Sequence, residues 1–140
     1  MQDSYKLSLY RHVKMGFLLL ILVQGLHSIE EYLNKLWTVL APARFLAGLV
    51  SKNLALGFLL INIGLFLIGL FCWFITTRQN IISHPRLIWL WILIETLNGI
   101  GHPLLALNQG SYFPGLITAP ILLILSFYLA RQLLIYNRNY

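Results

Sequence analysis

Acidic residues are scarce in this sequence, with four Asp and Glu among 140 residues, and it holds a single cysteine. All charged residues together make up 10%, against about a quarter in a soluble globular domain. That scarcity excludes an ordinary soluble fold. The lone Cys72 excludes an intrachain disulfide and a CxxC metal knuckle; inside an apolar run it reads as a small buried hydrophobe. Ten Lys and Arg give a net charge of +6. They fall in short clusters between apolar runs, without the continuous basic face that a phosphate backbone requires, so nucleic acid is excluded as a partner. Hydrophobic residues make up 59% of the chain, and the class they point to is an integral membrane protein of one domain over 1–140.

Four runs approach the roughly 20 residues that a helix needs to cross about 30 Å of hydrocarbon. They cover 15–33, 54–75, 87–107 and 114–134. The runs are continuous and lack the polar-apolar alternation of barrel strands, so the expected fold is all-α, a polytopic membrane four-helix bundle. Lys6, Arg11 and Lys14 before the apolar 15–23 resemble the start of a signal peptide. No small-x-small cleavage site follows, and the run continues through Leu26 and Ile29, so the segment is expected to stay as the first span.

Lys6, Arg11, Lys14, Arg78, Arg86, Arg131 and Arg138 fall on one side of a four-span arrangement, and Lys35, Arg44 and Lys52 on the other. The side richer in cations is cytoplasmic, which places both termini there. The first connection, 34–53, is itself apolar around Pro42 and is expected to lie at the outer interface as a roof over the bundle.

Three of the acids, Glu30, Glu31 and Glu95, lie within spans, where an ionisable group costs at least about 2.5 to 3.5 kcal/mol and normally serves a function. His27, Glu30 and Glu31 stand at i, i+3 and i+4, with Gln24 one turn earlier, forming one helical stripe. Glu95, Asn98 and His102 form a second stripe, and Pro103 one step beyond favours a kink and a freed carbonyl at Gly99. Counted at 1.5 Å per residue from Lys14 and Pro85, Glu31 and His102 are both about 25 Å up, and His27 and Asn98 both about 20 Å. The two stripes should therefore face each other, with Glu31 paired to His102 and His27 to Glu95 or Asn98.

These motifs resemble the family of small membrane proteins named for an HxxEE signature. His27-Ser28-Ile29-Glu30-Glu31 matches the signature, Glu95-Thr96-Leu97-Asn98 with His102 is similar to a second block, and Tyr112-Phe113-Pro114-Gly115-Leu116-Ile117-Thr118 to a third. The resemblance covers most of the chain and implies a bacterial cytoplasmic membrane, but it carries no biochemical activity. It singles out His27, Glu30, Glu31, Glu95, Asn98 and His102 as candidate catalytic residues. Gln24, Tyr112, Gly115 and Thr118 join them as candidate substrate-binding residues.

Three chemistries stay open on these residues. The leading one is an intramembrane enzyme in which carboxylates and imidazoles move protons on a lipid-soluble small molecule. A divalent metal held by His27, Glu30, Glu31 and His102 is the alternative, although Glu95 and His102 are two turns apart, about 10 Å, too far to grip one ion together. A proton-coupled small transporter is the third and would imply a homo-oligomer, since four helices are few for a monomer. Failing these, the groups pair only to fix helix packing. Asn62 is expected to hydrogen-bond between helices, Gly57, Gly64 and Gly69 to allow close helix contact, and Pro120 to kink the last span.

Overall fold

The computed structural model describes residues 2–139, with side chains described for 4–139. Six helices follow one another: α1 (Gln2–Leu33), α2 (Leu36–Val39), α3 (Ala41–Val50), α4 (Leu54–Thr77), α5 (Pro85–Gln109) and α6 (Ala119–Asn139). Among the described residues there is no strand, and four helices are long and apolar enough to cross a bilayer: Ser4–Leu33 of α1, then α4, α5 and α6. The chain is an all-α, polytopic membrane four-helix bundle.

Among the four long helices the closest packing is α5 on α6, followed by α1 on α6 and α1 on α4, while α4 only brushes α5. The long helices thus form a ring in the order α1, α4, α5, α6, with α1 and α5 facing across its centre. One half of that centre is apolar, filled by Val13, Phe17, Leu20, Ile88, Leu122 and Leu129, none with measurable exposure. Lipid is as apolar as these side chains, so van der Waals packing and polar contacts hold the bundle together rather than exclusion of water. Polar ties close the end that carries the termini. The Trp73 indole donates to the Lys14 carbonyl at 3.0 Å, the Ile82 amide donates to the Tyr136 hydroxyl at 3.0 Å, and the Tyr10 hydroxyl donates to the Thr77 carbonyl.

At the opposite end, α2 and α3 form the expected roof. Leu36, Trp37, Ala43 and Ala47 pack with Phe58 of α4, Ala106 of α5 and Phe113 of the following loop, while Phe45 and Leu49 point outward, 66% and 68% exposed. This roof can lie close to α4 only because residue 57 is glycine: a Cβ there would sit 2.1 Å from the Ala47 carbonyl oxygen. Gly64 has open space around its Cβ position, so the expected close contact is absent there.

Several boundaries differ from those expected: α4 and α5 run two residues further at Thr77, Pro85 and Gln109, α6 runs five further to Asn139, and the starts of α1 and α6 differ for separate reasons. Helix α1 begins at residue 2 rather than 15, because a helix continues into water wherever its residues allow, and an apolar window detects only the part in hydrocarbon. Helix α6 begins at Ala119 rather than 114, because Gly115 adopts a φ of +90°, outside helical geometry. Pro120 therefore sits in the first turn of α6, where no N–H is required, and starts the helix instead of kinking it. Pro103 lies inside α5 without ending it.

Candidate metal centre

The ring encloses a polar site just under the roof. From α1, His27 and Glu31 point inward at i and i+4; from α5, His102 comes across to meet them. Both imidazole Nε2 atoms lie 3.3 Å from the same oxygen, Glu31 Oε1. The three ligand-type atoms are all within 4.8 Å of one another, and all three residues are buried. The two rings meet edge to face, with centroids 4.7 Å apart.

The other nitrogen of each ring reveals where its proton sits. His102 Nδ1 is 2.6 Å from the Pro114 carbonyl oxygen. A carbonyl only accepts, so Nδ1 carries the hydrogen. His27 Nδ1 is 2.7 Å from Thr118 Oγ1; that hydroxyl donates its own proton to Glu30 Oε2 at 2.6 Å, so it accepts from His27. Nδ1 of each ring is thus the donor; a ring that carries only that hydrogen presents a bare Nε2 lone pair to Glu31, and His27 Nε2 has no hydrogen-bond partner. This is the orientation that outer hydrogen bonds impose on metal-ligating histidines. For bonds of about 2.0–2.1 Å the edge of a tetrahedral coordination shell is about 3.3 Å, which matches both N–O separations, whereas the span of up to 4.8 Å across the set would have to shorten around an ion.

A family model for a protein of unknown function with HXXEE motif matches residues 18–129. The chain belongs to this family. No curated protein and no solved structure matches it.

Within the HXXEE motif the two glutamates part company, because adjacent residues on a helix are turned by about 100°. Glu31 points into the centre. Glu30 points at the turn before α6, where its carboxylate accepts from the Tyr112 hydroxyl at 2.6 Å, the Ile117 amide at 3.0 Å, and the Thr118 amide and hydroxyl at 2.9 and 2.6 Å. It thus caps the amino end of α6, where free N–H groups and the helix dipole favour an anion. The structure places it outside the gathered ligand atoms, unlike the sequence-based metal set of His27, Glu30, Glu31 and His102. Tyr112 stands outside the spans; burial and its bond to Glu30 push its phenol up to about 12, so it remains a donor.

Gly115, expected to touch substrate, lies close against both imidazoles. A Cβ there would stand 2.6 Å from His27 Cε1 and 2.7 Å from His102 Nδ1. Gln24 donates to Ser28 Oγ at 2.8 Å, and Ser28 donates to Asn62 Oδ1 at 2.7 Å. Asn62 therefore ties α4 to α1, as a polar residue between spans does. Ser28 and the Pro114 carbonyl went unnoticed in the sequence: the motif's x positions carry no signal of their own, and a backbone acceptor has none at all.

Glu95 does not pair with His27. Its Oε2 accepts from Asn98 Nδ2 at 3.1 Å, one turn along α5, and its Oε1 has no partner although the residue is fully buried. Seven residues below His102, it lies about 10 Å deeper. Gly99 of α5 abuts Leu123 of α6. Glu95, four residues deeper on α5, therefore comes level with Ser126, three residues deeper on α6; the Ser126 hydroxyl also lacks a partner.

Proposed function

We propose that this protein is a membrane metalloprotein in which His27 Nε2, His102 Nε2 and Glu31 Oε1 hold one divalent cation of the zinc class. The observation that carries this reading is that both imidazole Nε2 atoms lie 3.3 Å from one oxygen, Glu31 Oε1, while each Nδ1 is committed as a donor elsewhere. With that single hydrogen on each ring, two nitrogen lone pairs and a carboxylate oxygen converge, and a positive charge between them is what relieves their repulsion. Imidazole and carboxylate donors together suit zinc and its first-row neighbours.

Charge balance supports the same reading. No Lys or Arg occurs within 15–34, 53–77 or 87–130, so no Lys or Arg of the spans stands beside Glu31 or Glu95 in the bundle. The two central carboxylates and one divalent ion sum to zero, while the third, Glu30, is held by four donors at the turn before α6, so the buried centre avoids the cost of a net charge in hydrocarbon. Three protein ligands of the set His, His and Glu leave one coordination position free, as catalytic rather than structural zinc sites do. We therefore read the centre as that of an enzyme acting on a lipid-soluble small molecule, with Glu95 and Asn98 beneath it to accept and return protons. A lipid-facing cavity of about 440 Å³ between α1 and α4, lined by Leu22, Leu26, Phe66 and the polar Ser28 and Asn62, offers such a molecule a place beside the motif helix. Both termini face the cytoplasm of the cell's inner membrane in this reading.

Elemental analysis of the purified full-length protein is the test. About one zinc-class ion per chain is expected, absent from His27→Ala, His102→Ala and Glu31→Gln variants that keep their helix content. If zinc-supplemented wild-type protein carries no metal, and nitrogen NMR shows both rings doubly protonated, the group is a His-Glu-His proton cluster and the metal reading fails.

A further inference from the structure

Away from the centre, on the lipid-facing side of α1 and α6, two cavities run into each other. The first, about 390 Å³, is lined by Ser4, Ser8, Arg11 and His12. The second, about 490 Å³, is lined by Gly16, Leu19, Leu22 and Leu125. Met15 and Tyr128 line both, so they form one groove with a cationic head and an apolar tail. The change falls where α1 passes from its polar start into the run that spans the hydrocarbon. Gly16 makes the groove possible. A Cβ there would meet the Tyr128 ring at 3.2 Å, so a larger residue would push the ring out into the space between head and tail.

The head is suited to an anion. Arg11 is exposed and has no ion pair or hydrogen bond among the described residues. Among the described residues, no acidic one lines either cavity. His12 is held at the rim by the bond between its Nδ1 and the Ser8 carbonyl, 2.8 Å. Guanidinium and hydroxyl groups together are the donors that a phosphate monoanion takes, and they stand at headgroup height. A free anion would have no use for the apolar half; a phospholipid uses both. Ser4 to Met15 lie outside the stretch, 18–129, that matches the HXXEE family.

We propose that this groove binds one anionic phospholipid, with its phosphate at Arg11 and Ser8 and an acyl chain along Leu19 and Leu22. The site is independent of the metal centre. Basic clusters beside a span attract anionic lipid by about 1 kcal/mol per cation, or about fivefold in affinity.

Native mass spectrometry of the full-length protein, with phosphatidylglycerol or phosphatidylcholine of the same chains added in turn, tests it. Wild type should retain one phosphatidylglycerol in preference to phosphatidylcholine. Arg11→Gln should weaken that binding about fivefold, whereas Arg78→Gln, a cation away from the groove, should not. Leu19→Trp, which fills the tail, should displace the lipid without altering the charge. Equal retention of the two lipids, an equal loss in Arg78→Gln, or full binding in Leu19→Trp would each overturn the proposal. So would displacement of the lipid by millimolar inorganic phosphate together with unaltered binding in Leu19→Trp, which would reveal a site for free phosphate.

Discussion

Glu30 and Thr118 are joined twice: the Thr118 amide and the Thr118 hydroxyl both donate to Glu30 Oε2, at 2.9 and 2.6 Å. Because the hydroxyl proton is committed to Glu30, Thr118 Oγ1 has only lone pairs left for His27. The first glutamate of the motif thus sets the tautomer of its histidine through a residue on another helix. Replacing Thr118 by Val removes the acceptor, and metal affinity should fall by about 10- to 100-fold, as when other outer-shell partners of ligating histidines are lost. Thr118→Ser should keep the affinity. Competition with a chromophoric chelator measures both, and an unchanged affinity in the Val variant would end the tautomer argument.

The same carboxylate holds the turn before α6. Glu30→Gln removes the charge and places an amide donor among donors, so it should cost about 1.5 to 3 kcal/mol, the range for hydrogen bonds to a charged group. Faster amide exchange at Ile117 and Thr118, with the roof unaffected, is the expected signature. Tyr112→Phe should cost less, since one of four bonds is lost. The Tyr112 phenol, raised from 10.0 to about 12, gives its bond fully below its ordinary pKa and loses it as pH rises through about 12.

Much of this architecture is legible in the sequence, and what is not has physical reasons. The α4 and α5 spans follow from continuous apolar runs. The start of α1 does not, because residues 2–14 are helical yet carry Lys6, Arg11 and Lys14, so an apolar run does not reveal them. The pairing of Glu31 with His102 follows from height alone, since Glu31 is 17 residues from Lys14 and His102 is 17 from Pro85. Height could not decide the neighbours of Glu95, because it says nothing of rotation about the axis; Asn98 on its own helix reaches the carboxylate before any residue of α1. Nor does a single stripe containing Glu30 and Glu31 reveal that one turns to the centre and the other to the α6 turn. That distinction depends on a loop whose shape is set by Gly115.

Gly115 is a sensitive point of the site. Its φ of +90° is strained for any other residue, and an added methyl would lie 2.6 and 2.7 Å from the two imidazoles. Gly115→Ala should lower stability by about 1 to 3 kcal/mol and also reduce metal content, because the rings must move. Normal metal content in the Ala variant would show that the loop yields instead.

Orientation is tested by reporter fusions at Arg78 and Arg138. Both should report cytoplasmic, because the end they share holds seven of the ten cations. An external signal from either would reverse the assignment of the roof to the outer face.

Glu31 and His102 supply the test of the shared site itself. They come from helices that face each other across the ring, and they meet at 3.3 Å with few direct backbone contacts between α1 and α5 to couple them otherwise. Glu31→Gln removes the oxygen that both imidazoles approach; His102→Ala removes one of those imidazoles and leaves the Pro114 carbonyl without its donor. If the three groups act as one unit, the first substitution already abolishes what the second would remove. The double variant should then be less impaired than the sum of the singles, with a coupling of about 0.5 to 3 kcal/mol in stability and no further loss of metal. Glu31→Gln combined with Tyr136→Phe, whose hydroxyl ties the opposite end of the bundle, is the control and should be additive within about 0.5 kcal/mol. Additive behaviour in the first pair would mean that Glu31 and His102 are neighbours without being partners, and a common ion between them would then be excluded.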